Sequence, residues 1–201
     1  MSANRPSEVT LGYYDAHAEE YCTRTRDVGM EVLYRPFLAL LPVGAHILDA
    51  GSGSGRDTRA FLTKGYRVTA FDGSVELAKR ASAWTGIEVL HRTFGEVEWS
   101  ETFDGVWACA SLLHLPVPEL SDAVCRLTEA LRPGGVLFMS FKQGTQQGER
   151  DGRFFTDLDD HSLRNLIAGE PRLHINRTWE TADQRGRANI RWVNALCSRQ
   201  R

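Results

Sequence analysis

The stretch from His46 to Ser74, HILDAGSGSGRDTRAFLTKGYRVTAFDGS, constrains this chain more than any other. Ile47-Leu48-Asp49-Ala50 is a short apolar run ended by glycine, the pattern of a buried parallel strand. Gly51, Gly53 and Gly55 follow at alternate positions. A helix is predicted from about Arg56 to Lys64, stopped by Gly65, a residue type that caps helices in the left-handed conformation. Arg67 to Phe71 reads as the next strand, with Asp72 at its carboxyl end. Strand, glycine turn, helix, strand and acid together predict a parallel sheet with a ligand at its edge.

The chemistry of the turn narrows the ligand. Glycines let the backbone approach a bound molecule with no Cβ in the way. A carboxylate at the end of the second strand, about 20 residues after the turn, is placed to bind the ribose hydroxyls of an adenosine. The dinucleotide fingerprint is G-x-G-x-x-G, with a pyrophosphate at the helix N-terminus. Here the third glycine comes one residue early, and Asp57 in the first helical turn would repel a pyrophosphate. An adenosine cofactor with no phosphate and a cationic centre, such as S-adenosylmethionine, fits better.

The run DAGSGSGRD from Asp49 to Asp57, with FDGS from Phe71 to Ser74, resembles the first two motifs of class I S-adenosylmethionine-dependent methyltransferases. YYDAHAEE from Tyr13, FDGVWACASLLH from Phe103, LRPGGVLFMSFK from Leu131 and DGRFFT from Asp151 are similar to stretches of the small bacterial tellurite-resistance-type enzymes of that superfamily. The resemblance implies a Rossmann-like, doubly wound α/β fold with a seven-stranded sheet of order 3-2-1-4-5-7-6. Its last strand is antiparallel, and an N-terminal helical lid covers the cofactor. The resemblance places Tyr13, Tyr14, Tyr21 and Thr25 of the lid near the cofactor, with Asp49, Gly51, Ser52, Gly53, Arg56, Asp72, Gly73 and Ser74. It sets Phe94 against the adenine and Glu96 as acceptor for the exocyclic amine. Ala110 and Ser111, at the carboxyl end of the fourth strand, complete that site. His114, Lys142 and Arg153 are the candidate catalytic residues. His114 serves as a base if its pKa lies near the working pH. Lys142 and Arg153, with Arg150, would hold an anionic acceptor. Lys142 otherwise needs a carboxylate partner, for which Glu149 and Asp151 are the candidates. Gln143 stands where the family has an aromatic residue, so an aromatic wall is expected to be missing.

With 201 residues, one domain is expected. Residues 1–41 would form the helical cap, 42–142 the cofactor-binding core, and 143–201 a substrate loop, a helix and a β-hairpin. The formal net charge of -2 gives no broad drive toward nucleic acid or an anionic membrane, and favours a small-molecule acceptor. No apolar run reaches the length of a membrane span, and the first residues lack the apolar core of a signal peptide. A cytoplasmic setting and no metal are expected. Cys22, Cys109, Cys125 and Cys197 form no C-x-x-C pair, and Cys109 and Cys125 read as buried small hydrophobes. Oligomeric state is not written in the chain.

The remaining elements follow from periodicity. Residues 1–8 read as a loose tail. Tyr13 to Leu41 reads as two helices with a break near Arg26–Gly29 and a bend at Pro36. A helix is expected from Ser74 to Ala83, a third strand reaching Phe94, and a fourth from Phe103 to Leu112. A helix from Glu119 to Leu131 precedes the strand Val136–Phe141. Gln143 to Arg153 reads as a polar loop, and Asp159 to Ala168 as a helix. The alternating runs Leu173–Trp179 and Asn189–Ala195 predict an antiparallel hairpin. Three other readings compete with a small-molecule methyltransferase. They are a nucleotide-dependent oxidoreductase, a cofactor-binding protein without acceptor chemistry, and an enzyme acting on RNA or protein.

Overall fold

The structure is a computed structural model that describes residues 6–200. Three helices come first: α1 (Pro6–Ala16), α2 (Ala18–Thr25) and α3 (Glu31–Leu38). Residues 1–5 of the expected tail lie outside the described residues. From Pro6 onward the tail is already helical, because proline suits the first position of a helix, where no N–H is needed. The break between α2 and α3 falls at residues 26–30, and α3 runs through Pro36 to end two residues later.

The sheet then begins with β1 (His46–Ala50), α4 (Arg56–Thr63), β2 (Arg67–Asp72), α5 (Val75–Thr85) and β3 (Val89–His91). β3 stops short of Phe94, which lies on a 3₁₀ turn, Phe94–Glu96. β4 (Phe103–Cys109) also ends early, because Ala110 takes a left-handed φ of 55°. A second 3₁₀ turn, Leu112–His114, follows, and then α6 (Val117–Ala130). β5 (Leu131–Lys142) starts five residues before the expected strand. Leu131 pairs with Phe103, and the chain bulges before Val136 pairs with Gly105.

The polar stretch after β5 is a hairpin rather than a loop. β6 (Gln147–Arg150) and β7 (Arg153–Thr156) pair antiparallel around Asp151 and Gly152. Both turn residues have positive φ, 50° and 72°, as a tight two-residue hairpin turn requires. α7 (Asp160–Ala168), β8 (Leu173–Ala182) and β9 (Arg191–Arg199) complete the chain.

The seven-stranded sheet has the order β3-β2-β1-β4-β5-β9-β8, the expected order once the β6–β7 hairpin is counted. The strands from β3 to β5 run parallel, and β9 is antiparallel to both neighbours. Strand order reverses between β1 and β4, so the cleft lies beyond their carboxyl ends. Successive residues of a strand serve opposite faces. Ile47, Trp107, Phe138 and Leu196 pack on one face with Tyr34 and Phe37 of α3 and Phe61 of α4. Leu48, Val106, Leu137 and Met139 pack on the other with Val124 and Leu127 of α6 and Leu163 and Ile167 of α7. Cys22 and Cys197 are buried, but Cys125 is exposed, since it falls one position off the buried stripe of α6.

The β6–β7 hairpin is tied to α1. Thr10 Oγ1 accepts from the backbone N–H of Phe154 at 2.9 Å, and Gly152 lies so close to Tyr13 that a Cβ would sit 2.9 Å from its ring. Among the described residues no helix is long and apolar enough to cross a membrane, and no His/Cys/Asp/Glu group could hold a metal ion.

Candidate active site

The turn after β1 is built by three left-handed glycines, with φ of 79° at Gly51, 56° at Gly53 and 79° at Gly55. Each also meets a close neighbour. A Cβ on Gly51 would lie 2.5 Å from Ser111 Cβ, and one on Gly53 would lie 3.1 Å from the Tyr21 hydroxyl. Gly55 instead packs on α5, against Thr85 and Ala81. The turn is latched to β2. Gly51 and Ser52 donate their N–H groups to the Phe71 carbonyl, and Gly53 N–H donates to Asp72 Oδ2 at 2.7 Å. Ser74 N–H donates to Asp72 Oδ1 at 2.9 Å. Burial outweighs these two donors and pushes Asp72 up to about 6.

Asp57 does not face a phosphate site, contrary to the expectation from its place in the first helical turn. Its carboxylate turns into the core. It accepts from Tyr34 Oη at 2.5 Å, Trp107 Nε1 at 2.8 Å, and the Nε and Nη2 of Arg56 at 2.6 and 2.9 Å. Burial alone would raise its pKa, but the Arg56 guanidinium and these donors hold it below the usual carboxylate range. Asp49, beside it, accepts from Thr58 Oγ1 at 2.6 Å and is pushed well up by burial and by the Asp57 charge.

The lid is pinned over the turn at several points. Asp15 of α1 accepts from Ser74 Oγ at 2.6 Å and from Glu76 N–H at 3.1 Å, at the start of α5. Leu11 packs on Gly73. Thr25 and Ser54 share a hydrogen bond of 2.9 Å. On the opposite side, Ser111 Oγ donates to the Ala50 carbonyl at 2.6 Å, and Ser140 Oγ accepts from Ala110 N–H at 2.9 Å.

Two cavities result. The first, of about 100 Å³, is lined by Leu11, Gly51, Gly53, Phe71, Asp72 and Phe94. The second, of about 190 Å³, is lined by Thr25, Arg56, Lys142, Arg153, Phe155 and Trp192 among others. Tyr14, Tyr21, Ala110 and His114 line both, and so form their boundary.

The three candidate catalytic residues meet at the second cavity. The Lys142 ammonium lies 3.6 Å from the centre of the Phe155 ring, with no carboxylate partner among the described residues. Neither Glu149 nor Asp151 reaches it. Burial, with the Arg150 charge next, pulls Lys142 down to about 8. Arg153 lies over Tyr13, 4.6 Å from its centroid, and its buried Nε has no hydrogen-bond partner. Arg150, in contrast, is committed to Asp157 through two bonds of 2.6 Å. The wall expected to lack an aromatic at Gln143 has Phe155.

His114 donates from Nδ1 to the Phe154 carbonyl at 2.7 Å, which fixes Nε2 as the acceptor of the Tyr14 hydroxyl at 2.9 Å. Burial, and after it the Arg153 and Lys142 charges, overcome the Phe154 bond and push His114 down to about 4. The condition set for a histidine base, a pKa near the working pH, is therefore not met.

Residues 47–135 match the family model of a methyltransferase domain. That stretch, from β1 to the bulge of β5, is similar to methyltransferase domains. It is 35% identical over 108 residues to the ubiquinone biosynthesis O-methyltransferase of Xanthomonas axonopodis pv. citri, covering 50% of this chain and 44% of that one. It is 29% identical over 149 residues to the malonyl-[acyl-carrier protein] O-methyltransferase of Salmonella typhimurium, covering 72% of this chain and 48% of that one. The chain thus spans less than half the length of either curated relative. Its fold matches that of the Burkholderia thailandensis 1,6-didemethyltoxoflavin-N1-methyltransferase with a TM-score of 0.80, at 22% identity, covering 100% of this chain and 93% of that one.

The candidate cofactor residues divide between the two cavities and the wall behind them. Tyr14, Tyr21, Gly51, Gly53, Asp72, Gly73, Phe94, Ala110 and Ser111 line the first cavity, and Thr25 and Arg56 the second. Asp49, Ser52 and Ser74 are buried behind the wall, where Ser74 caps α5. Glu96 is not brought to the cleft. It is exposed, and its carboxylate accepts from the backbone N–H and hydroxyl of Thr93, both at 2.8 Å, in a capping box. Sequence reasoning missed Leu11, because α1 was read as a tail up to about residue 8 and no element was assigned before Tyr13. It missed Phe155 and Arg185, which come from a hairpin and a turn without apolar periodicity.

Proposed function

We propose that this chain transfers a methyl group from S-adenosylmethionine to an O, N or S atom of a small-molecule acceptor that carries an anionic group. The observation that carries this reading is the pair of cavities meeting at Tyr14, Tyr21, Ala110 and His114, one lined by glycines and Asp72, the other by Lys142 and Arg153, which have no carboxylate partner among the described residues.

The first cavity fits an adenosine. Gly51 and Gly53 leave space that a Cβ would fill, Asp72 offers lone pairs to ribose hydroxyls, and Phe71 and Phe94 offer apolar surface to a base. S-adenosylmethionine, when bound, supplies an electrophilic methyl group whose transfer leaves a neutral thioether that needs no protonation. The task of the protein is then to orient and to exclude water, which can supply roughly 7–11 kcal/mol of barrier lowering in favourable cases. Tyr14 and Tyr21 close the boundary. Lys142 and Arg153 hold the anionic group and favour an ionised nucleophile. His114, neutral at working pH, holds the hydroxyl proton of Tyr14 on its Nε2 side and so fixes the phenol. The acceptor is accordingly one that needs no strong base. The O-methyl and N1-methyl transfers named for the relatives support an O or N atom as the acceptor.

Thermal unfolding with S-adenosylmethionine, S-adenosylhomocysteine and NADH tests the cofactor, since a ligand of the native state raises stability by mass action. A rise with NADH alone sinks the reading. Methyl-labelled S-adenosylmethionine is then offered with a panel of small acids and their amides. Transfer to amides as readily as to acids removes the anionic requirement. Stabilisation by both sulfur compounds with no acceptor turning over favours a binding protein instead.

A further inference from the structure

The turn between β8 and β9 brings to the second cavity a cation that no carboxylate among the described residues hydrogen-bonds. Arg185 lines that cavity together with Tyr21, Thr25 and Arg56. It is partly buried, and no acceptor among the described residues bonds its guanidinium. The nearest carboxylate, Asp183, is taken by Arg187, whose Nε and Nη2 reach its two oxygens at 2.5 and 3.1 Å. Asp183 meets Arg185 only through the backbone N–H, at 3.4 Å. Burial and the charges of Arg187 and Arg24 all act against the Arg185 cation. Such a group gains from a bound anion.

The second cavity has two cationic ends. Lys142 and Arg153 gather at the Phe155 ring, beside His114. Arg185 lines the same cavity as Tyr21 and Thr25 of α2. The Tyr21 hydroxyl is the group against which Gly53 is packed. Arg185 therefore serves the end nearest the glycine turn. Arg56, the other cation there, is already bound by Asp57 through two hydrogen bonds. An adenosine seated at Asp72 would leave the rest of its cofactor to cross the boundary shared by the cavities, which Tyr14 and Tyr21 line. S-adenosylmethionine carries a single carboxylate, on the methionyl part.

We propose, resting on the function proposed above, that the Arg185 guanidinium binds the methionyl carboxylate of the cofactor, which makes the β8–β9 turn part of the cofactor site as well as a wall of the acceptor cavity. A planar guanidinium suits a carboxylate through paired N–H donors.

The test is calorimetric titration of wild type, Arg185→Ala and Arg185→Lys with two ligands. S-adenosylhomocysteine keeps the carboxylate. 5′-Methylthioadenosine keeps the adenosine and the sulfur but lacks the amino-acid group. Hydrogen bonds to charged groups are worth enough that Arg185→Ala should weaken S-adenosylhomocysteine roughly 10- to 100-fold. Its affinity for 5′-methylthioadenosine should stay unchanged, and Arg185→Lys should recover part of the loss. Equal losses for both ligands, or none for either, overturn the assignment while leaving the methyltransferase reading intact. Failure of the wild type to bind either nucleoside overturns both.

Discussion

The hydroxyl of Tyr14 in α1 and Nε2 of His114, 100 residues later, are joined by a 2.9 Å hydrogen bond on the boundary between the two cavities. The other ring nitrogen of His114 is spent on the Phe154 carbonyl in β7. One neutral imidazole thus holds the lid and the inserted hairpin together at the place where a methyl group would cross.

That arrangement has an acid signature. Native His114 titrates at about 4, against 6.5 for an unperturbed histidine. As pH falls through this window the unfolded chain takes up a proton that the native chain refuses, so stability drops, and the loss is complete below the native pKa. His114→Gln removes this component. The melting temperature of the wild type should therefore fall relative to the variant between pH 6.5 and about 4.5. A difference that does not vary with pH would show that His114 is not held neutral by the fold.

Asp72 should give a pH dependence of its own, in binding. Its native pKa of about 6 lies above the ordinary 3.8, so the native carboxylate loses charge as pH falls through 6. If the ionised form receives the ribose hydroxyls, affinity for S-adenosylhomocysteine is lower at pH 5 than at pH 7.5 (round values either side of the about 6 native pKa). Asp72→Ala should weaken binding roughly 10- to 100-fold at either pH and abolish the pH effect. Calorimetry on the two proteins reads both outcomes.

Gly51→Ala combines a left-handed φ of 79° with a Cβ placed 2.5 Å from Ser111 Cβ. The backbone conformation alone costs about 1–2 kcal/mol, and overpacking adds about 1–3 kcal/mol. Gly95→Ala has no positive φ and open space around the new methyl group, so it should stay within about 0.5 kcal/mol of wild type. Urea unfolding of the pair separates the two. Equal stability would mean that the turn gives way without cost.

Asp57→Ala strands the Arg56 guanidinium in the core and removes the acceptor of Tyr34 and Trp107. Breaking a buried pair on one side costs about 3–5 kcal/mol. The expected result is a large drop in the urea midpoint. A merely ligand-contacting Asp57 would lose affinity and keep its midpoint.

How far the sequence could be read depended on how local the determinants were. β1, the glycine turn, α4 and β2 were legible because strand, turn and cap signals lie within 27 residues of one another, from His46 to Asp72. The β8–β9 hairpin was legible from its alternation. The β6–β7 hairpin was not, since β6 is polar and each strand is only four residues long, although the Asp151-Gly152 pair is a strong turn signal by itself. Glu96 was assigned to the adenine although Thr93-Phe94-Gly95-Glu96 spells a capping box, and the local bond to Thr93 captured the carboxylate. The inward turn of Asp57 could not be read, because Tyr34 and Trp107 lie 23 and 50 residues away and meet it only in the folded core. The same holds for Tyr14 and His114.

The bond between Thr10 and the Phe154 backbone, and the packing of Tyr13 on Gly152, set what can be inherited separately. A recombinant that took the β6–β7 hairpin from a relative without α1 would pair a foreign backbone with Thr10 and lay a foreign turn against Tyr13. Helix and hairpin, far apart along the chain, form one cassette. Acceptor preference in such chains should therefore change by paired substitutions in both segments, and rarely in the hairpin alone.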